Sequence, residues 1–61
     1  MKNNLKAILD SRGIKYSWFA LEVKVSRNTI TNIFKGSTPG LDLAYAIAKK
    51  LNLTVYDIWP Q

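Results

Sequence analysis

Residues 16–36 read YSWFALEVKVSRNTITNIFKG, and this stretch decides the fold. It divides into two short helical patterns, residues 16–23 and 27–34, with too few residues between them for anything but a tight corner. The pattern predicts a helix-turn-helix. Taking ~100° per residue on the second helix, Ile30 and Ile33 share one side, while Asn28, Thr31, Asn32 and Lys35 gather on the other. Asn can meet an adenine edge with two hydrogen bonds and Arg can do the same for guanine. There is no acidic residue between positions 23 and 41, which suits a surface that must approach phosphates. The plain alternative is a solvated polar face, since short helices often carry uncharged polar residues.

The flanking sequence supplies three further helices. Asn3 or Asn4 can cap a first helix, because a short side-chain oxygen accepts from the free amides of a helix start. Leu5, Ile8 and Leu9 form its buried stripe, and Gly13 closes it in the left-handed conformation. Lys2, Lys6, Arg12 and Lys15 fall on the exposed side. In the second helix Phe19, Ala20 and Val23 face inward. Trp18 and Leu21 lie three residues apart on the outside, as an apolar pair that either meets a partner or packs under the chain termini. Tyr16 begins this helix, with either a hydroxyl aimed at a backbone phosphate or a core-edge ring with a wet tip.

Lys24 occupies the corner, which is either a left-handed position where Lys costs roughly 1 kcal/mol or more, or a turn of another shape. Ser26 is placed to cap the third helix and Gly36 to close it. Ser37, Thr38, Pro39 and Gly40 form a loop whose hydroxyls can bind phosphate or cap the next helix. The fourth helix is expected to bury Leu41, Ala44, Tyr45, Ala48 and Leu51, with Ile47 at the edge and Leu43 on an outer shoulder. Asn52 ends it, Thr54 caps a short fifth helix carrying Val55, Ile58 and Trp59, and Pro60 blocks continuation. The chain is thus expected to be all-α, one domain over residues 1–61, with no strand pattern, repeat or linker.

Composition narrows the function. Nine Lys and Arg against four Asp and Glu give a net charge of +5, which attracts polyanions. Without cysteine or histidine, disulfides and thiol or imidazole chemistry are excluded, and a metal site would rest on carboxylates alone. Asp10, Glu22, Asp42 and Asp57 sit as ordinary helix-end or solvent-face residues, leaving no evident base or nucleophile. No enzyme activity, cofactor or small-molecule substrate is therefore expected. No apolar run approaches the ~20 residues needed to span a bilayer, so the expected compartment is the cytoplasm.

With this order of helices, the sequence resembles the Cro and phage-repressor type of helix-turn-helix proteins, also called the xenobiotic-response-element family. The likeness rests on Arg12-Gly13, Phe19-Ala20, Val25-Ser26-Arg27, Thr29-Ile30, Ile33, Gly36, Pro39, Leu41 through Ala44, Ile47-Ala48 and Leu51. Leu53-Thr54-Val55 with Asp57-Ile58-Trp59 looks like the short last helix of small members. The resemblance implies a five-helix lambda-repressor-like DNA-binding domain whose third helix enters the major groove. It implies base reading by Arg27, Asn28 and Asn32, with Ser26, Thr29 and Thr31 nearby, and phosphate contacts from Tyr16, Lys35, Ser37 and Thr38. It further implies a regulator, a repressor on a palindromic operator, acting as a homodimer on double-stranded DNA.

Several residues depart from that family's pattern. Tyr16 stands where Gln is common, Lys15 where a capping Ser or Thr is common, Lys24 where Gly is common, and Trp18, Leu21 and Phe34 where acids are common. The apolar replacements point to a partner surface, for which Trp18, Leu21 and Leu43 are the candidates, while Phe34, only ~40° from Ile30 on the helical wheel, is alternatively a core residue. A protein-interaction module, such as an antitoxin or adaptor with the same fold, is the rival reading.

Overall fold

Four places where the chain must leave a helix set the architecture. In the computed structural model, which describes residues 2–60, α1 (Leu5–Ser11), α2 (Tyr16–Glu22), α3 (Arg27–Phe34) and α4 (Leu41–Leu51) are followed by the short α5 (Val55–Ile58). Met1 and Gln61, the two ends of the expected 1–61 domain, lie outside the described residues, and among those described there is no strand.

Each of the first four helices ends on a residue with positive φ: Gly13, Lys24, Gly36 and Asn52. At each end the next amide folds back to a carbonyl five residues earlier, from Ile14 to Leu9, Val25 to Ala20, Ser37 to Asn32 and Leu53 to Ala48, all at 2.9–3.0 Å. This closure satisfies carbonyls the helix leaves unpaired. Three of the four residues that follow, Ile14, Val25 and Leu53, then pack against the core. Lys24 takes φ 63° without the freedom of glycine, so the corner between α2 and α3 is the left-handed of the two expected alternatives.

The starts are held differently. Ser26 accepts from the Thr29 amide at the head of α3, and Thr54 and Asp57 cap each other reciprocally at the head of α5. Asn3, not Asn4, supplies the side-chain oxygen for α1, accepting from the Leu5 amide at 3.1 Å. Asn4 instead ties α1 to α5, its amide donating to the Ile58 carbonyl and its Nδ2 to that of Asp57.

The core gathers Leu5, Leu9, Phe19, Ile30, Ile33, Ile47, Leu51, Ile58 and Trp59 with the small Ala20, Ala44 and Ala48 between them. α2 packs on α3, α1 on α3 and α4 on α5. On α4 the burial differs from the expectation. Ile47 is fully buried, whereas Leu41 and Tyr45 are 67% and 59% exposed. Leu43 turns inward and is half-buried against the core, which removes it from the expected partner surface. Arg12 is exposed as expected, and its guanidinium in addition donates to the Leu51 carbonyl at 2.8 Å.

Candidate nucleic-acid interface

The outward ridge of α3 is built by two constraints. Ser26 fixes where the helix begins, and the burial of Ile30 and Ile33 fixes its rotation. Arg27, Asn28, Asn32 and Lys35 are then exposed, while Thr31 is half-buried beside them. Neither Arg27 nor Lys35 forms an ion pair with any described residue; the pairs present are Lys6–Asp10 and Lys50–Glu22. The ridge thus offers a guanidinium, two amides and an ammonium with no acid paired to them.

The hydroxyls nearby are partly committed. Ser26 Oγ lies 3.0 Å from Thr29 Oγ1 and accepts from the Thr29 amide, so both side chains serve the helix start. Thr31 Oγ1 donates to the Arg27 carbonyl at 3.0 Å. The one proton of the Thr31 hydroxyl is thereby committed within the helix. Ser37 and Thr38 are exposed on the loop after α3, and they do not cap α4, whose start is Gly40 without a side-chain cap.

Tyr16 is drawn toward α1. Its hydroxyl donates to Asp10 Oδ1, and its ring meets Phe34 edge-on with centroids 4.8 Å apart. Asp10 also accepts from Lys6 at 2.9 Å. These bonds, that from Tyr16 first, hold the Asp10 carboxyl below its ordinary value, and each in turn raises its own donor, the Tyr16 hydroxyl and the Lys6 ammonium. The one proton Tyr16 can donate is therefore spent on a carboxylate, and the ring is a core-edge residue. Two ties went unseen in the sequence: Asn3 Nδ2 donates to the Ile33 carbonyl at 2.7 Å, and Arg12 closes α4. Both join residues far apart in the chain, and no local pattern signals them.

A basic helix-turn-helix with an unobstructed polar ridge defines a DNA-binding domain. Residues 5–58 match a protein family described as helix-turn-helix, so the chain belongs to the helix-turn-helix family of Cro and phage-repressor type. No curated protein matches it. The chain is accordingly a DNA-binding regulator of the helix-turn-helix type, and this is a regulatory family, not an enzyme family. No helix is long and apolar enough to cross a membrane, and no three acidic side chains gather among the described residues.

Proposed function

We propose that the protein is a sequence-specific transcriptional repressor that acts in the cytoplasm and binds a palindromic operator as a homodimer, one α3 in each of two successive major grooves. The observation that carries this reading is the joint exposure of Arg27, Asn28, Asn32 and Lys35 on one side of the third helix, with neither Arg27 nor Lys35 held in an ion pair among the described residues. Arg27, Asn28 and Asn32 read base edges, since their forked donors and acceptors match guanine and adenine. Thr31 offers its methyl group to thymine, while Ser26 and Thr29 fix the helix start against the duplex. Lys35, Ser37 and Thr38 meet phosphates. Tyr16 joins them only if its hydroxyl leaves Asp10.

The dimer follows from magnitude. One small module buries only ~600–1,000 Å² on DNA, and a second half-site ~34 Å away multiplies the binding through effective concentration. Selection from a random duplex pool at two salt concentrations tests the whole reading. A palindromic consensus whose binding weakens steeply with salt is expected. A pool that shows no sequence enrichment at either salt would sink it.

One observation favours a second reading. Trp18 and Leu21 on the outer face of α2 are 49% and 73% exposed, as a protein-interaction module such as an antitoxin or adaptor would require. That reading expects a stoichiometric protein complex that survives high salt.

A further inference from the structure

The outer face of α2 meets α4 away from the candidate nucleic-acid interface. Trp18, Leu21 and Glu22 fall within ~100° of one another around α2, and Ala46, Lys49 and Lys50 do the same on α4. Lys50 joins the two faces: it pairs with Glu22 at 2.6 Å and lies 5.9 Å from the centre of the Trp18 ring. Between the helices runs a groove of about 490 Å³ lined by Glu22, Val23, Lys24, Ala46, Lys49 and Lys50. Trp18 and Leu21 are exposed on the same side of α2 as Glu22. Glu22 is the groove's one acid and is committed to Lys50, whereas neither Lys24 nor Lys49 forms an ion pair with any described residue. The face thus sets two ammonium groups without a counter-charge beside two large apolar side chains.

We infer that this α2–α4 groove docks an acidic segment of another protein, one whose apolar side chains cover Trp18 and Leu21 while its carboxylates meet Lys24 and Lys49. The inference rests on the protein-interaction reading above and names the partner's chemistry. Charge chooses the occupant. In a two-fold contact the same patch meets itself, so a second copy of this chain would set lysines against lysines. A basic segment meets the same repulsion. Duplex DNA would answer the ammonium groups, but its phosphates leave Trp18 and Leu21 uncovered. An acidic amphipathic helix meets both demands, with its apolar anchors laid in the groove and its acids along the flanks.

The dimensions fit a short segment. Residues three apart on a helix stand ~5–6 Å apart at their Cβ atoms, so Trp18 and Leu21 match two neighbouring anchors of a partner helix. Two side chains offer far less than the ~800 Å² per partner of a standard interface, and the contact is correspondingly weak and reversible. Lys50, already neutralised by Glu22, holds the indole in place and leaves the partner's acids to Lys24 and Lys49. No residue of the groove belongs to the ridge of Arg27, Asn28, Asn32 and Lys35, so the segment and a duplex occupy the chain together.

Short random peptides displayed on phage and selected on the immobilised whole chain test this, with enriched peptides that lack Trp synthesised and titrated in solution. Trp18 is exposed and Trp59 buried, so a blue shift of the intrinsic emission reports cover at Trp18, and Trp18→Phe removes that signal. Expected are peptides that combine Asp or Glu with Leu or Phe. Their dissociation constant should rise about tenfold with Leu21→Ser and severalfold with Lys49→Gln. Neither Leu41→Ser, on another face of the molecule, nor a saturating duplex should change it. Circular dichroism melts check that these variants, all at exposed positions, stay folded. The inference is overturned if Leu21→Ser leaves the affinity unchanged, or if a duplex displaces the peptides, which places them on the α3 ridge. It is overturned too if Leu21→Ser and Lys49→Gln weaken binding to all duplexes alike, which makes this face a DNA contact. Enriched peptides without acids that still depend on Leu21 keep a partner surface and overturn the partner's charge. Sequence-specific DNA binding with no peptide enrichment removes the groove and leaves the repressor.

Discussion

Arg12 and Leu51 are 39 residues apart, yet the Arg12 guanidinium donates to the Leu51 carbonyl at 2.8 Å. The last turn of α4 exposes carbonyls with no intrahelical partner, and a cation placed there also meets the negative end of the helix dipole. The end of α1 thereby closes the end of α4. A hydrogen bond from a charged donor contributes ~1.5–3 kcal/mol when enclosed; part of that is lost to solvent here, so Arg12→Ala is expected to cost about 1–2 kcal/mol. Urea unfolding reads this directly. The base preference of the DNA-bound form stays as in the wild type, because Arg12 is not on α3.

Lys24 is the converse case, a residue whose backbone works against it. Its φ of 63° costs a side-chain-bearing residue ~1–2 kcal/mol, whereas glycine adopts it freely but gains ~0.5–1 kcal/mol of freedom in the unfolded chain. Lys24→Gly should accordingly stabilise the fold by about 0.5–1 kcal/mol, a rise of a few degrees in Tm for a domain of this size. Lys24→Val should do the opposite by more than 1 kcal/mol, since a β-branched residue tolerates this region least. Thermal melts of the two variants with opposite signs are the expected result.

The corner and the helix ends were legible because they depend on local chemistry: Gly13, Gly36 and Asn52 mark positive φ, and Ser26 and Thr54 mark helix starts. The rotation of α3 was legible too, since Ile30 and Ile33 are its only strongly apolar pair on one side. On α4 the pattern fits two rotations. LDLAYAIAKKL is apolar nearly all round, so stripes through Leu41 and Tyr45 or through Leu43 and Ile47 both satisfy a helical period. The polar residues held the missed signal. On a ~100° wheel Asp42 and Lys49 lie ~20° apart, and the buried set of Leu43, Ala44, Ile47, Ala48 and Leu51 centres opposite them. For Tyr16 the deciding partner was Asp10, one helix away, and nothing in the spacing of the two predicts their contact.

The Asp10 contacts carry a pH signature. Hydrogen bonds from Tyr16 and then Lys6 hold its carboxyl below the ordinary 3.8. A carboxyl with a depressed folded-state value contributes stability above 3.8 and loses it as pH falls through the depressed value. Tyr16, raised above 10.0 by the same contact, contributes below pH 10.0 and loses its share as it ionises. Asp10→Asn should therefore flatten the acid side of the stability curve. Denaturant unfolding across pH should show the gap between wild type and variant closing below pH 3.8.

Asn32 on α3 and Lys35 at its C-terminal cap are three residues apart and both exposed, and the roles assigned to them make different demands on DNA binding. An amide bonded to a base edge discriminates at one position, so Asn32→Ala should cost ~1–3 kcal/mol there and relax the preference at that base. An ammonium at a phosphate carries no sequence information. Lys35→Ala should weaken binding alike across all duplexes and reduce the slope of log affinity against log salt by about 1. Titrations of a duplex panel at several salt concentrations separate the two. If both variants gave one profile, uniform loss with a shallower salt slope, Asn32 would be a phosphate contact and the ridge would not be reading sequence through it.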